Sequence, residues 1–251
     1  MEMLKVDGLS KRFGGLQALS DVSFNANPGE KLAIIGPNGA GKTTLFHLLG
    51  GQLPATTGRI FLQGQDITRM PPRYRLHLGL ARSFQLNNLF FNLALIDNML
   101  LALKGAERRH FEMFQPLNAR NDLVATAQRL LESIGLWEMR FAPVATLSYG
   151  DQRMVEVIFA LSSSPKLILL DEPTAGLSTA EANAFADTFR QLLKDREDTS
   201  VIFCAHDMDL VFNLADRIMV LYFGQLVAQG TPQEIQTNPK VREIYLGSEG
   251  S

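Results

Sequence analysis

The chain carries one cysteine, Cys204, among its 251 residues. No intramolecular disulfide can form, which excludes a disulfide-stapled scaffold. Cys204 ends the apolar run Val201-Ile202-Phe203-Cys204, where a thiol is expected to serve as a small buried hydrophobe in a reducing compartment. Long hydrophobic runs are also missing. Crossing a bilayer takes about 20 consecutive apolar residues, and the longest runs are broken by Asn92, Asp97, Ser162 to Ser164, Pro165 and Lys166. The opening residues Met1 to Asp7 hold an acid and no apolar stretch, so no secretory signal is expected there. There is no excess of one charge: 24 Lys and Arg stand against 26 Asp and Glu, a net −2. No basic field would recruit a phosphate backbone or anionic lipid, and nucleic acid is not an expected ligand. What is present is a composition of 46% hydrophobic and 20% charged residues, close to the globular average. The length predicts one large domain, or a core with an inserted lobe.

Patterning changes along the chain. Alternation around Leu4-Val6 and Val22-Phe24, with turn signals at Gly14-Gly15 and Asn27-Pro28-Gly29, predicts antiparallel strands over the first 31 residues. Lys31 to Ile35 reads as a buried strand, Lys42 to Leu49 as a helix ended by Gly50-Gly51, and Gly58 to Gly64 as an exposed-edge strand. From about 86 to 146 the pattern turns helical, notably over Ala125 to Gly135, and predicts an inserted helical lobe. Buried strands return at Leu167 to Leu170, Val201 to Cys204 and Ile218 to Leu221, separated by helices, the pattern of a parallel sheet covered on both faces. Thr231-Pro232-Gln233-Glu234 is a capping box with proline at the first helical position, and the tail from Gly247 reads as frayed.

Between the strand at Lys31 and the helix at Lys42 stands Gly36-Pro37-Asn38-Gly39-Ala40-Gly41-Lys42-Thr43-Thr44. It matches G-x-x-x-x-G-K-[ST] in the strand-to-helix context that confirms a P-loop. Glycines let backbone N–H groups turn inward around phosphates, and the helix that follows adds its N-terminal partial charge. In this pattern Lys42 reaches the β- and γ-phosphates and the Thr43 hydroxyl ligates Mg2+. The apolar run Lys166 to Leu170 delivers Asp171 and Glu172, the first suited to the metal and the second to polarising a water.

Leu147-Ser148-Tyr149-Gly150-Asp151-Gln152-Arg153 resembles the signature motif of ABC-type ATPases. Further matches follow that family's order: Phe13 where an aromatic stacks on adenine, Gln85 as the Q-loop glutamine, Ala175-Gly176-Leu177-Ser178 as the D-loop, and His206 as the switch histidine. The resemblance implies an α/β fold. Residues 1–85 and 147–230 would form a RecA-like P-loop NTPase core with a parallel sheet and an N-terminal antiparallel β-subdomain. An α-helical subdomain over 86–146 and a C-terminal helix and tail over 231–251 would complete it. It also implies ATP and Mg2+ as ligands, with Thr43, Gln85 and Asp171 at the metal and Glu172, His206 and Gln85 at the reaction. The P-loop of one subunit would bind ATP incompletely. Ser148, Tyr149, Gly150 and Asp151 of a second subunit, the same chain or a paralogue, would then cap the γ-phosphate. Ser148-x-x-Asp151 and Ser178-x-x-Glu181 also read as capping boxes, and His47, His77 and His110 as structural or surface residues. Tyr149, Asp151 and Ser178 depart from the family pattern, where glycine, glutamine or glutamate, and aspartate are usual.

The runs Lys11 to Leu16, Ala81 to Gln85, Ala205 to Met208 and the ending Tyr245-Leu246-Gly247 resemble the ATP-binding subunits of branched-chain amino acid importers. The implied partners are membrane permease subunits, received near Gln85 to Phe91 at the cytoplasmic face of the cell membrane, and indirectly a solute-binding protein. Lipopolysaccharide export, whose ATPases share the Val241 to Gly247 type of ending, is the nearest alternative. A soluble ABC ATPase acting on nucleic acid or ribosomes is a more remote one.

Overall fold

Leu4, Val6 and Leu9 alternate with polar residues and lie buried, which builds β1 (Leu4–Phe13); the Gly14-Gly15 turn brings the chain back as β2 (Leu16–Ala26). The structure is a computed structural model that describes residues 2–82, 89–106, 121–194, 196–205 and 207–248. The elements continue as β3 (Lys31–Ile35), α1 (Lys42–Gly50), β4 (Thr57–Leu62), β5 (Gln65–Asp66), α2 (Pro72–His77) and β6 (Leu80–Arg82). Next come α3 (Leu95–Ala106), α4 (Asn121–Glu132), α5 (Tyr149–Ser162), β7 (Leu167–Asp171), α6 (Thr179–Lys194) and β8 (Ser200–Cys204). The last are α7 (Met208–Leu214), β9 (Arg217–Tyr222), β10 (Gln225–Gly230), α8 (Pro232–Thr237) and α9 (Pro239–Ser248). No described helix is long and apolar enough to cross a membrane.

The chain divides into two compact units. The first comprises Met1–Arg82, Lys166–Ala175 and Arg196–Ser251 and contains both sheets. A four-stranded sheet runs β2-β1-β4-β5, with β1 antiparallel to β2 and β4. The Gly58 to Gly64 segment was expected at an edge, but β4 lies between β1 and β5. The edge belongs to β5, whose two residues are too few to register in a hydrophobic pattern. The second sheet runs β10-β9-β3-β8-β7-β6; β9, β3, β8, β7 and β6 are parallel, and β10 closes one side as an antiparallel strand. Every residue of β7 and β8 is buried, as two-sided cover requires. Parallel strands share one C-terminal edge, so Ile35, Cys204, Asp171 and Arg82 all end there.

A buried arginine anchors the helix that follows β3. Arg75 on α2 is 1% exposed. Its guanidinium donates from Nη1 to the Leu48 and Leu49 carbonyls (2.8 and 2.7 Å), from Nε to Met70 O (2.8 Å) and from Nη2 to Thr68 O (3.2 Å). Leu48 and Leu49 carry two of the terminal carbonyls of α1, of which Leu48 O also accepts from Gly51 N (3.1 Å), and a cation there complements the helix dipole. Burial pushes the Arg75 pKa down to about 10. Arg75→Met takes this donor from the Leu49, Met70 and Thr68 carbonyls, at about 1 kcal/mol each, the low end for a buried group left unpaired. A total of about 3 kcal/mol should lower the melting midpoint by roughly 6–12 °C, measured by thermal unfolding of the purified chain.

The second unit comprises Ser83–Pro165 and Gly176–Asp195. Within it α3 packs on α4 and α5, and α5 packs on α6. The expected helix over Ala125 to Gly135 starts earlier, at Asn121, and ends at Glu132, because Ser133 to Gly135 form a closing turn in which Leu136 N donates to Leu131 O (2.9 Å). In α6 the buried face carries Phe185, Phe189, Leu192 and Leu193, as its spacing predicts.

Candidate nucleotide site

The loop between β3 and α1 is held by its own lysine. Lys42 is 6% exposed, and its ammonium donates to Gly36 O (2.7 Å) and Pro37 O (3.2 Å). Burial lowers its pKa, and the nearby Cys204, Glu172 and Asp171 groups partly offset this. Gly36 has φ +154°, and a Cβ there would run into the Leu221 carbonyl oxygen. Only glycine passes so close to β9. The β9–β10 turn also fastens the loop through Gly224 N to Ala40 O (3.0 Å). Asn38, Gly39 and the Thr43 hydroxyl position are exposed.

Asp171, at the end of β7, lies in register with Cys204 at the end of β8. The Cys204 thiol donates to Asp171 Oδ1 (2.9 Å), and Arg82 Nη2 donates to Asp171 Oδ2 (2.9 Å). Burial pushes the Cys204 pKa far up, aided by the Asp171 charge, so the sulfur stays a neutral donor. This matches the buried inert thiol expected from sequence. Glu172 follows with φ +50°, and its N–H bonds Cys204 O (3.1 Å). A left-handed glutamate at the sheet edge is the kind of backbone strain found at functional sites.

In the second unit Ser148 is the exposed N-cap of α5 and accepts from Asp151 N (3.1 Å). The Tyr149 hydroxyl accepts from Arg153 Nη2 (2.6 Å), and Arg153 in turn pairs with Glu156 (3.1 Å). A Cβ at Gly176 would lie 3.1 Å from the Tyr149 ring, and Gly176 has φ +83°. Tyr149 therefore rests against Gly176, which no other residue could replace without displacing the ring.

The structure brings together Lys42, Asp171 and Glu172, all in the first unit. Phe13, also in that unit, is 44% exposed at the end of β1, with the Lys11 ammonium 4.9 Å above its ring. Gln85, Leu86 to Asn88, His110 and His206 lie outside the described residues. His47, in α1, has its pKa lowered by burial and by Arg82. Arg82 is the member of the site that sequence reasoning passed over. Its signal was a cation closing an apolar strand three residues before Gln85, but its partner is 89 positions away.

Residues 19–175 match the family model described as ABC transporter. The chain belongs to the ABC transporter family. Residues 225–251 match a second model, described as branched-chain amino acid ATP-binding cassette transporter. The high-affinity branched-chain amino acid transport ATP-binding protein LivG of Escherichia coli K12 is 36% identical, over 98% of each chain. BraF of Pseudomonas aeruginosa, of the same description, is 35% identical over 98% of each. The crystal structure of MJ1267, an ATP-binding cassette of an ABC transporter in its ADP conformation, superposes with a TM-score of 0.85 at 30% identity, covering 98% of this chain and 99% of that one. The expected fold, with its P-loop core, antiparallel β-sheet and helical part, is that of these cassettes. The chain is an ABC ATPase and the ATP-binding subunit of a transporter.

The donor set of this ABC ATPase suits a hard divalent cation. Among the described residues no cluster of three or more His, Cys, Asp or Glu could cage a metal. Mg2+ needs no such cage, because it keeps waters and substrate phosphates and takes one or two protein oxygens. The Asp171 carboxylate and the Thr43 hydroxyl are oxygens of that kind.

Proposed function

We propose that this ABC ATPase powers import of branched-chain amino acids from the cytoplasmic face of the cell membrane. The observation that carries the substrate assignment is the match of residues 225–251 to the branched-chain subfamily model, supported by full-length likeness to LivG and BraF. The transported solute would be bound by membrane subunits, so no side chain here needs to read it.

At the nucleotide, Phe13 stacks on adenine, and residues 36 to 44 enclose the phosphates with backbone N–H groups and the Lys42 ammonium. Thr43, Asp171 and Gln85 hold Mg2+, which when bound neutralises charge on the phosphates. Glu172 accepts a proton from the attacking water, with Gln85 and His206 assisting. Ser148, Tyr149, Gly150 and Asp151 of a second cassette present the N-terminus of α5 to the γ-phosphate. That reading is supported by the exposed Ser148 at the cap of a 14-residue helix. Two nucleotides would join two cassettes, and hydrolysis would release them.

The permease surface is assigned to Gln85 through Phe91. Phe90 is 56% exposed. Its backbone is fixed by the buried Asn98, which accepts from Phe90 N (2.8 Å) and donates to Phe90 O (3.1 Å). Leu93 and Phe141 are further exposed apolar side chains of the same unit. Reconstitution with the membrane proteins encoded alongside tests the whole reading. The complex in vesicles should take up leucine, isoleucine or valine when ATP is supplied, and ATP hydrolysis without movement of any of the three would overturn the substrate assignment. Phe90→Ser with Phe91→Ser should leave basal hydrolysis intact and weaken the permease contact by about 2 kcal/mol, roughly thirtyfold in affinity. Transport at the parental level would exclude this surface.

A further inference from the structure

The Arg82–Asp171 pair is buried on both sides, with side chains 9% and 4% exposed. Arg82 is the last residue of β6 and Asp171 the last of β7, adjacent parallel strands in which Arg82 is in register with Leu169. The guanidinium is held from a second direction as well. Nη1 donates to Gln52 Oε1 (3.0 Å) and to Phe46 O (3.4 Å) at α1, while Nε finds no acceptor among the described residues. Burial lowers the Arg82 pKa, and the Asp171 charge works against that. A buried guanidinium with an orphaned N–H costs about 1–3 kcal/mol, and a buried ion pair often adds nothing to stability over apolar packing. Stability alone therefore does not account for this pair.

The two oxygens of Asp171 are held unequally. Among the described residues Oδ2 takes a charge-assisted bond from Arg82, and Oδ1 takes only a thiol proton from Cys204, a weak donor. We propose that Arg82 is a positioning residue for Mg2+: it pins the buried Asp171 carboxylate through Oδ2 and leaves Oδ1, the weakly held oxygen, for the cation. This rests on the reading of Asp171 as a metal ligand. Positioning groups behind a metal ligand characteristically control metal affinity by about 10–100-fold.

The test is ATP binding by the full chain, with Mg2+ present and with EDTA, in the parent and in Asp171→Asn, Arg82→Met and Arg82→Lys. Asp171→Asn should lose the gain in affinity that Mg2+ confers. If it keeps the gain, the metal reading of Asp171 fails and takes this proposal with it. Where Asp171→Asn loses the gain, Arg82→Met should bind ATP in EDTA within about twofold of the parent and lose roughly tenfold of the Mg2+-dependent gain, with Arg82→Lys recovering most of it. A full Mg2+ gain in Arg82→Met would overturn the role of Arg82 alone, as would an equal loss with and without Mg2+. Should Arg82→Met fail to fold, Arg82→Gln, which can still donate to Oδ2 without charge, is read by the same ratio.

Discussion

A Glu172→Gln variant is expected to turn over ATP roughly 10²–10⁴-fold more slowly than the parent, the span that a positioned general base contributes. Its affinity for ATP should stay within a few-fold. The substitution keeps the side chain's size, so the left-handed backbone at φ +50° and the bond from residue 172 N–H to Cys204 O need not change. What disappears is the capacity to accept a proton from water. With hydrolysis blocked and binding kept, ATP and Mg2+ should accumulate a dimer that the parent forms only transiently. Size-exclusion chromatography with light scattering reads the dimer, and phosphate release reads the rate. Turnover at the parental rate would remove Glu172 from the role of base.

Legibility from sequence followed the range of the interaction. The β3–loop–α1 segment was readable because a continuous apolar run, a glycine-rich loop and a helix stand side by side. β7 was readable because an unbroken apolar run can only be buried on both faces. Elements that lean on distant partners were not. β6 is three residues long and β5 two, below any periodicity. Nothing in Pro72-Arg73-Tyr74-Arg75 marks Arg75 as buried, yet it is 1% exposed because the carbonyls it serves belong to α1, 26 or 27 residues earlier. The Arg82–Asp171 pair is invisible for the same reason.

The capping boxes show how fine the local code is. Glu181 reaches back to Ser178 N (2.8 Å), and Glu234 to Thr231 N (2.7 Å), while each serine or threonine oxygen accepts from the third residue on. Ser148-x-x-Asp151 was expected to behave likewise; Asp151 takes the Ser148 hydroxyl proton (2.7 Å), as Glu181 and Glu234 take theirs, but does not reach back to the Ser148 N–H. Aspartate is one methylene too short for the reciprocal bond. The Ser148 hydroxyl proton is therefore held by Asp151.

Lys42→Ala is expected to produce the largest loss of nucleotide affinity. The ammonium is already desolvated, so little further desolvation is needed when it exchanges its two loop carbonyls, Gly36 O and Pro37 O, for phosphate oxygens. Hydrogen bonds to charged groups contribute about 1.5–3 kcal/mol each, so losing one or two of them should weaken ATP binding by roughly 10- to 10⁴-fold. The fold should survive. The Pro37 carbonyl borders the exposed Asn38, where water can reach it, and the buried Gly36 carbonyl left unpaired should cost about 1–3 kcal/mol. Lys42→Arg should not rescue binding, because a planar guanidinium cannot occupy the small space inside the loop that a compact ammonium fills. Fluorescent-nucleotide titration measures the affinity, and a melting curve confirms folding. Parental affinity in Lys42→Ala would mean that the backbone N–H groups alone hold the phosphates. The reading of residues 36 to 44 would then keep its loop and lose its lysine.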